Sequence, residues 1–266
     1  MLDYAKRALR FVGRNLFRNT RFFLGYALHF FDPGFRLQPR YYDEAGLLAR
    51  ITEGKSLIRL GDGEVYLMNY GSIHYQPFNP RLRDYLLKMV REYGDSSPYL
   101  LGIPQEYLGR SNEELKDIDL LHCWLPFKVT YRQLFNTRTT YFDAHLFYRN
   151  NAFARTIEHA LAGRKVILVT SEANWQLMRD AGMQEKLDVT FVACPAQDAF
   201  SEFDALVASV RSIIGEAPKD HFRVVASAGP ASKALVYELS KEGIVSYDLG
   251  RGIEAVYRPV SLESSI

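Results

Sequence analysis

The sequence predicts an α/β fold, a Rossmann-like, doubly wound and mainly parallel sheet with an N-terminal amphipathic helical extension. Three observations lead there. The 266-residue chain is 47% hydrophobic and 24% charged, the composition of a folded domain. Near-continuous apolar runs at residues 165–170, 189–193, 223–227 and 245–248 have the character of strands buried on both faces. Segments of helical periodicity about ten residues long alternate with those runs, as βαβ units require.

In chain order, residues 1–40 stand apart from the domain expected at 41–266. They hold eight Lys and Arg against Asp3 and Asp32, so the formal net charge of +2 conceals a basic N-terminus and a mildly acidic body. At 100° per residue, Leu2, Ala5, Leu9, Val12, Leu16, Phe23 and Ala27 gather on one side, and Arg7, Arg10, Arg14, Arg18 and Arg21 on another. This basic amphipathic helix has two readings. Residues 1–30 anchor on an anionic membrane surface, or the helix packs on the domain with its arginines solvated. The arginines interrupt every apolar stretch, so no signal peptide is expected, and residues 22–31 are too short to span a bilayer. Pro33, Gly34 and Pro39 form a linker.

Beyond it, the periodicity predicts a helix at 43–52, a strand at 56–60, a helix or turn at 65–70 and helices at 81–92 and 113–119. A helix at 151–162 stops at Gly163 and leads into the first apolar strand. Helices at 174–181, 202–214 and 231–242 then separate the remaining strands. Loops 61–64, 170–174, 194–200, 227–232 and 248–252 follow strands and should converge on one cleft, with the strands before 194 and 227 as neighbours. The acidic body argues against nucleic-acid binding. Cys123 and Cys194, without a CxxC pair, fit a reducing compartment and give no zinc site.

Chemistry concentrates in three strand-end strings. Gly61-Asp62-Gly63-Glu64 places two carboxylates two residues apart. If strand geometry persists they share a side and can hold a divalent cation; otherwise Asp62 caps the following helix. Ser227-Ala228-Gly229-Pro230-Ala231-Ser232-Lys233 opens a helix and suits a phosphate, or is simply a strand-to-helix turn. In the string from Cys194 to Phe200, Asp198 could meet a ribose or base edge. His145 reads as a structural histidine within an aromatic stretch.

Together, residues 59–64 (RLGDGE), 195–204 (PAQDAFSEFD) and 228–250 (AGPASKALVYELSKEGIVSYDLG) resemble the GT-D fold glycosyltransferases, in the same order over about residues 45–258. The resemblance implies transfer from a nucleotide-sugar, a UDP-sugar first, to a glycan or lipid-linked acceptor at the cytoplasmic face of a bacterial membrane. It also implies Mn²⁺ or Mg²⁺ at Asp62 and Glu64. Donor contacts would come from Arg59, Gly61, Gly63, Asp198, Ser227, Gly229, Ser232, Lys233 and Asp248. The carboxylates available to deprotonate the acceptor are Glu64, Asp143 and Glu172. The alternatives are an inactive membrane-bound scaffold of a glycan assembly complex, or a pyruvyl or phosphoryl transferase on a similar sheet.

Overall fold

The computed structural model describes residues 19–146 and 151–253. Its strands are β1 (Arg40–Tyr41), β2 (Ser56–Arg59), β3 (Tyr99–Ile103), β4 (Thr140–Asp143), β5 (Lys165–Thr170), β6 (Asp188–Ala193), β7 (Phe222–Ser227) and β8 (Ser246–Asp248). All pair in parallel, in the order β1-β4-β3-β2-β8-β7-β5-β6. The half built from β1 to β4 meets the half built from β5 to β8 where β2 lies beside β8. In open α/β sheets, the carboxyl ends of such junction strands are where ligands sit.

Around the sheet lie α1 (Thr20–Phe30), α2 (Glu44–Thr52), α3 (Asp62–Met68), α4 (Pro80–Glu92), α5 (Gln105–Gly109), α6 (Asn112–Asp117), α7 (Leu121–Leu134), α8 (Asn151–Leu161), α9 (Glu172–Asp180), α10 (Met183–Lys186), α11 (Phe203–Ile214) and α12 (Pro230–Lys241). Alternate strand residues feed two cores. Ile167, Val169, Val224 and Ala226 join α1, α4, α7, α11 and α12 on one face. Val166, Leu168 and Val225 join α2, α8 and α9 on the other. Helix α12 is buried on almost every side, which is why a twelve-residue helix with a polar first turn can sit behind the junction strands.

The structure differs from the sequence reading in strand order, in strands and in helices. β6 and β7 are not neighbours, because β5 lies between them and pairs with both along six residues. Strands β1, β3 and β4, which complete the sheet beyond β2, lie where no strand is predicted. β3 carries no β-branched residue before Ile103, and its fourth residue is Gly102, where the Phe142 ring lies 2.6 Å from the point a Cβ would take. Helix α7 is also unforeseen. Pro126 in its interior removes a backbone donor, and burial of Trp124, Leu125, Phe127, Val129 and Tyr131 overrides that poor propensity.

Helix α1 crosses α7, with Phe22 and Phe23 in the shared core. The predicted stripe residues Leu2, Ala5, Leu9, Val12 and Leu16 lie outside the described residues. Phe23, expected on the membrane side, faces the protein instead. No helix of the described residues is long and apolar enough to cross a membrane.

The segment after α1 is fastened by a buried cation. Lys128 of α7 donates to the Phe35 carbonyl at 2.9 Å, the Arg110 carbonyl at 2.7 Å and Asn112 Oδ1 at 3.2 Å. Asn112 in turn donates to the carbonyls of His29 and Asp32. Burial lowers the Lys128 pKa from 10.5 to about 8. Between those values the unfolded chain holds the extra proton, so stability gains with rising pH across this window. At and below neutral pH the full penalty stands, on the order of 3 kcal/mol. Denaturant titrations of wild type and Lys128→Met from neutral pH to just below the tyrosine range should show wild type gaining on the variant by about 2 kcal/mol. A constant difference would mean that the ammonium is not desolvated.

Candidate active site

At the carboxyl ends of β2, β8, β7, β5 and β6 a cleft of about 760 Å³ opens, with the β4 end at its side. All five strand-end loops singled out in the sequence contribute to its wall, through Gly61 to Glu64, Ser171, Pro195, Ser227 and Gly250 among others. The N-caps of three helices line it: Gly61 for α3, Ser171 for α9 and Gly229 for α12. Helix N-termini carry partial positive charge and unsatisfied N–H groups, so their convergence favours an anion. Gly229 has φ +56°, and the Tyr75 ring lies 2.9 Å from where a Cβ would stand, so only glycine fits that turn.

The floor is a chain of charges. Lys233 Nζ lies 3.1 Å from Asp248 Oδ2 and 3.4 Å from Glu64 Oε1, and donates to the Gly229 carbonyl at 3.2 Å. Burial alone would lower this lysine's pKa, but Asp248 and then Glu64 outweigh it, and the pKa is raised. Glu64 Oε2 accepts the Gly61 N–H at 2.7 Å, fixing the first turn of α3. The fully buried Asp248 also accepts the Arg59 backbone N–H at 3.1 Å. The Arg59 guanidinium donates to the carbonyls of Asp248, Leu249 and Ala144, tying β2 to the loops after β8 and β4.

Asp62 and Glu64 both line the cleft, though not by strand parity. The strand ends at Arg59, and the two carboxylates are the first and third residues of α3, which do not face each other on a helix. Glu64 already serves Gly61 and Lys233. Asp62 stands near the Cys123 thiol, whose pKa is pushed up to about 12 by burial first and by Asp62 next. Among the described residues, no three His, Cys, Asp or Glu side chains form a metal site by themselves. Asp62 therefore suits a divalent cation only as one ligand alongside oxygens of a bound diphosphate, the usual arrangement for Mg²⁺. Charge balance favours such a cation, because Arg59 and Lys233 face three carboxylates, Asp62, Glu64 and Asp248.

Of the other residues singled out, Ser227 lines the cleft, its hydroxyl donating to the Gly250 carbonyl. Ser232 is fully buried and accepts the Ala228 N–H at 2.7 Å, so it shapes the turn from beneath. Asp248 acts behind Arg59 and Lys233. Asp198 has φ +49° and accepts from Gln76 Nε2, while its own N–H donates to the Tyr75 carbonyl. It latches the 194–200 loop to residues 75–76 and is not among the lining residues. Asp143 accepts the backbone N–H groups of Gln105 and His145, and Glu172 is exposed in the first turn of α9; neither lines the cleft.

Ile73, Tyr75 and Gln76 line the cleft without having been singled out in the sequence, and His145, read there as structural, lines it too. His145 packs edge-on to the stacked pair Tyr107 and Trp124 yet reaches the cleft wall. Burial, then the Glu64 carboxylate, pushes the Tyr75 hydroxyl pKa up. The signal for Tyr75 is the ten-residue loop 71–80 between the elements predicted at 65–70 and 81–92, which places His74 and Tyr75 close behind the strand-end acids.

A family model described as glycosyltransferase GT-D fold matches residues 57–257. The curated "Probable glycosyl transferase Gly" of Streptococcus gordonii is 22% identical over 213 residues, covering 75% of this chain and 30% of that protein. The chain thus spans under a third of the length of that relative. Among solved structures, a glycosyltransferase (DUF1792) from Streptococcus sanguinis superposes with a TM-score of 0.65 at 21% identity, covering 80% of this chain and 81% of that one. Another, described as a domain of unknown function 1792 with a distinct glycosyltransferase fold, gives 0.62 at 20% identity over 91% and 88%.

Proposed function

Since the chain belongs to the glycosyltransferases of GT-D fold, we propose that it moves a sugar from a nucleoside-diphosphate sugar, a UDP-sugar first, to a glycan or lipid-linked glycan of the cell surface. The observation that carries this reading is the convergence of three helix N-termini with Arg59, Lys233 and Asp62 in one cleft. A diphosphate matches the N-termini, and because the cleft's own side chains already carry one excess negative charge, a diphosphate there requires a divalent cation beside it.

Each residue then has a task. Gly61, Gly63 and Gly229 let the diphosphate approach the backbone at the starts of α3 and α12. Lys233, clamped by Glu64 and Asp248, holds a fixed positive charge below the leaving diphosphate, where stabilisation of developing charge contributes most to rate. Asp62 would hold Mn²⁺ or Mg²⁺ together with the donor. Such an ion, when bound, supplies Lewis-acid neutralisation of the leaving group. Of the three carboxylates considered for deprotonating the acceptor, only Glu64 reaches the cleft. Asp198 acts on the donor through Tyr75 and Gln76, whose loop it positions.

Hydrolysis assays across UDP-, GDP- and dTDP-sugars with Mn²⁺ test the reading. Turnover of at least one donor that stops in chelator is expected. No turnover, with no nucleotide binding, would favour a scaffold.

A further inference from the structure

Helix α1 is apolar nearly all round, but only one side of it meets the protein. Phe22 and Phe23 are buried against α7, whereas Leu24 and Leu28 are 67% and 72% exposed and Phe31, just beyond the helix, is 82% exposed. Spaced at i, i+4 and i+7, these three form a single stripe on the outer side. Among the described residues seven large hydrophobics are exposed, and four of them, Leu24, Leu28, Phe30 and Phe31, fall in this one short stretch. Scattered exposed apolar residues are ordinary; a contiguous stripe marks an interaction surface.

The charges around the stripe indicate what covers it. Arg21, Arg36 and Arg132 are exposed near it, together with Asp32, Glu113 and Glu114 at its C-terminal end, where Arg36 faces Glu114 at 3.9 Å. The excess of basic charge comes from the residues that precede the helix. Immediately before the helix, residues 1–18 bring Lys6, Arg7, Arg10, Arg14 and Arg18 against the single acid Asp3. A second copy docked face to face would bring the two basic segments 1–18 together, like charge against like, which is unfavourable. An anionic lipid surface accepts both features, apolar side chains at the acyl boundary and arginines among the headgroups.

We propose that α1 docks on anionic lipid through Leu24, Leu28 and Phe31, with Arg21, Arg36 and Arg132 at headgroup level. This face is not the one that periodicity predicts, since Phe23 of the expected stripe is packed on α7. The docked helix lies close to the cleft. Asn19 donates to Asn69, which directly follows α3, and α3 spans only about 10 Å from Asp62. Docking itself does not depend on the proposed donor chemistry.

Sedimentation of the full chain with phosphatidylcholine vesicles, with and without about one-quarter phosphatidylglycerol, provides the test. Wild type is expected to bind the anionic vesicles, weakly or not at all the neutral ones, and less at high salt. Substituting Leu24→Ser, Leu28→Ser and Phe31→Ser together should weaken binding by about tenfold or more. All three side chains are exposed, so the thermal transition should stay in place and show that the variant folds. Binding of the triple variant equal to wild type, or no binding by wild type, overturns the proposal. So does a wild-type dimer that the triple substitution converts to a monomer without any change in vesicle binding.

Discussion

Asp62→Asn is expected to lower sugar-transfer turnover by about 10²-fold or more while leaving the fold intact. Asp62 is the first residue of α3, so losing its charge removes only a helix-terminus interaction of about 0.3–1 kcal/mol. Its carboxylate is nevertheless the cleft acid not already committed to Lys233, which makes it the one able to share a cation with a diphosphate. Glu64→Gln should behave differently. The amide oxygen can still accept the Gly61 N–H, but the ion pair to Lys233 is lost, so stability falls together with activity. Steady-state kinetics beside thermal melts separate the two. Full turnover of Asp62→Asn at saturating Mn²⁺ would remove Asp62 from the chemistry.

Lys233→Met should be the most damaging single change to the fold. The ammonium is the shared partner of two buried carboxylates, and without it Glu64 and Asp248 lose the cation between them and keep only Arg59 nearby. Breaking a buried ion pair from one side costs about 3–5 kcal/mol, a large fraction of the stability of a domain this size. Adding Asp248→Asn to the same chain should recover part of the loss. The sequence alone predicts a donor contact here. The burial of this side chain puts stability first. Denaturant midpoints of the single and double variants decide it, and equal midpoints for wild type and Lys233→Met would contradict the clamp.

Where the chain runs strand, turn, helix with apolar strands and Gly or Ser at the turn, the sequence was sufficient. β5 to β8, their helices and the five cleft loops follow from period and turn chemistry. Legibility ended where tertiary packing overrides local preference. Gly102 in β3 and Pro126 in α7 are both locally unfavourable, and they are accommodated by the Phe142 ring and by burial on all sides. Strand order was likewise hidden, because nothing local records that β7 returns across β5 instead of lying beside β6.

At the site, Asp62, Glu64, Gly229 and Lys233 could be found because acids, glycines and a lysine stand at strand ends. Asp198 and Ser232 carry the same chemistry, yet their side chains turn to Gln76 and the Ala228 N–H, a choice made by backbone conformation and not by residue type. For Asp62 and Glu64 the sequence leaves open a shared strand face or the start of a helix; the helix begins at Asp62, so the second holds, with Gly61 and not Asp62 at the cap.

Calorimetric titration of UDP and GDP into wild type and Asp62→Asn, with Mn²⁺ and with chelator, bears most directly on whether this cleft is a cation-assisted nucleotide-sugar site. Nucleotide should bind wild type with Mn²⁺, at least about tenfold more weakly in chelator, and Asp62→Asn should show the weak affinity under both conditions. Equal affinity for both proteins with and without the metal would place the diphosphate away from Asp62 and contradict the account.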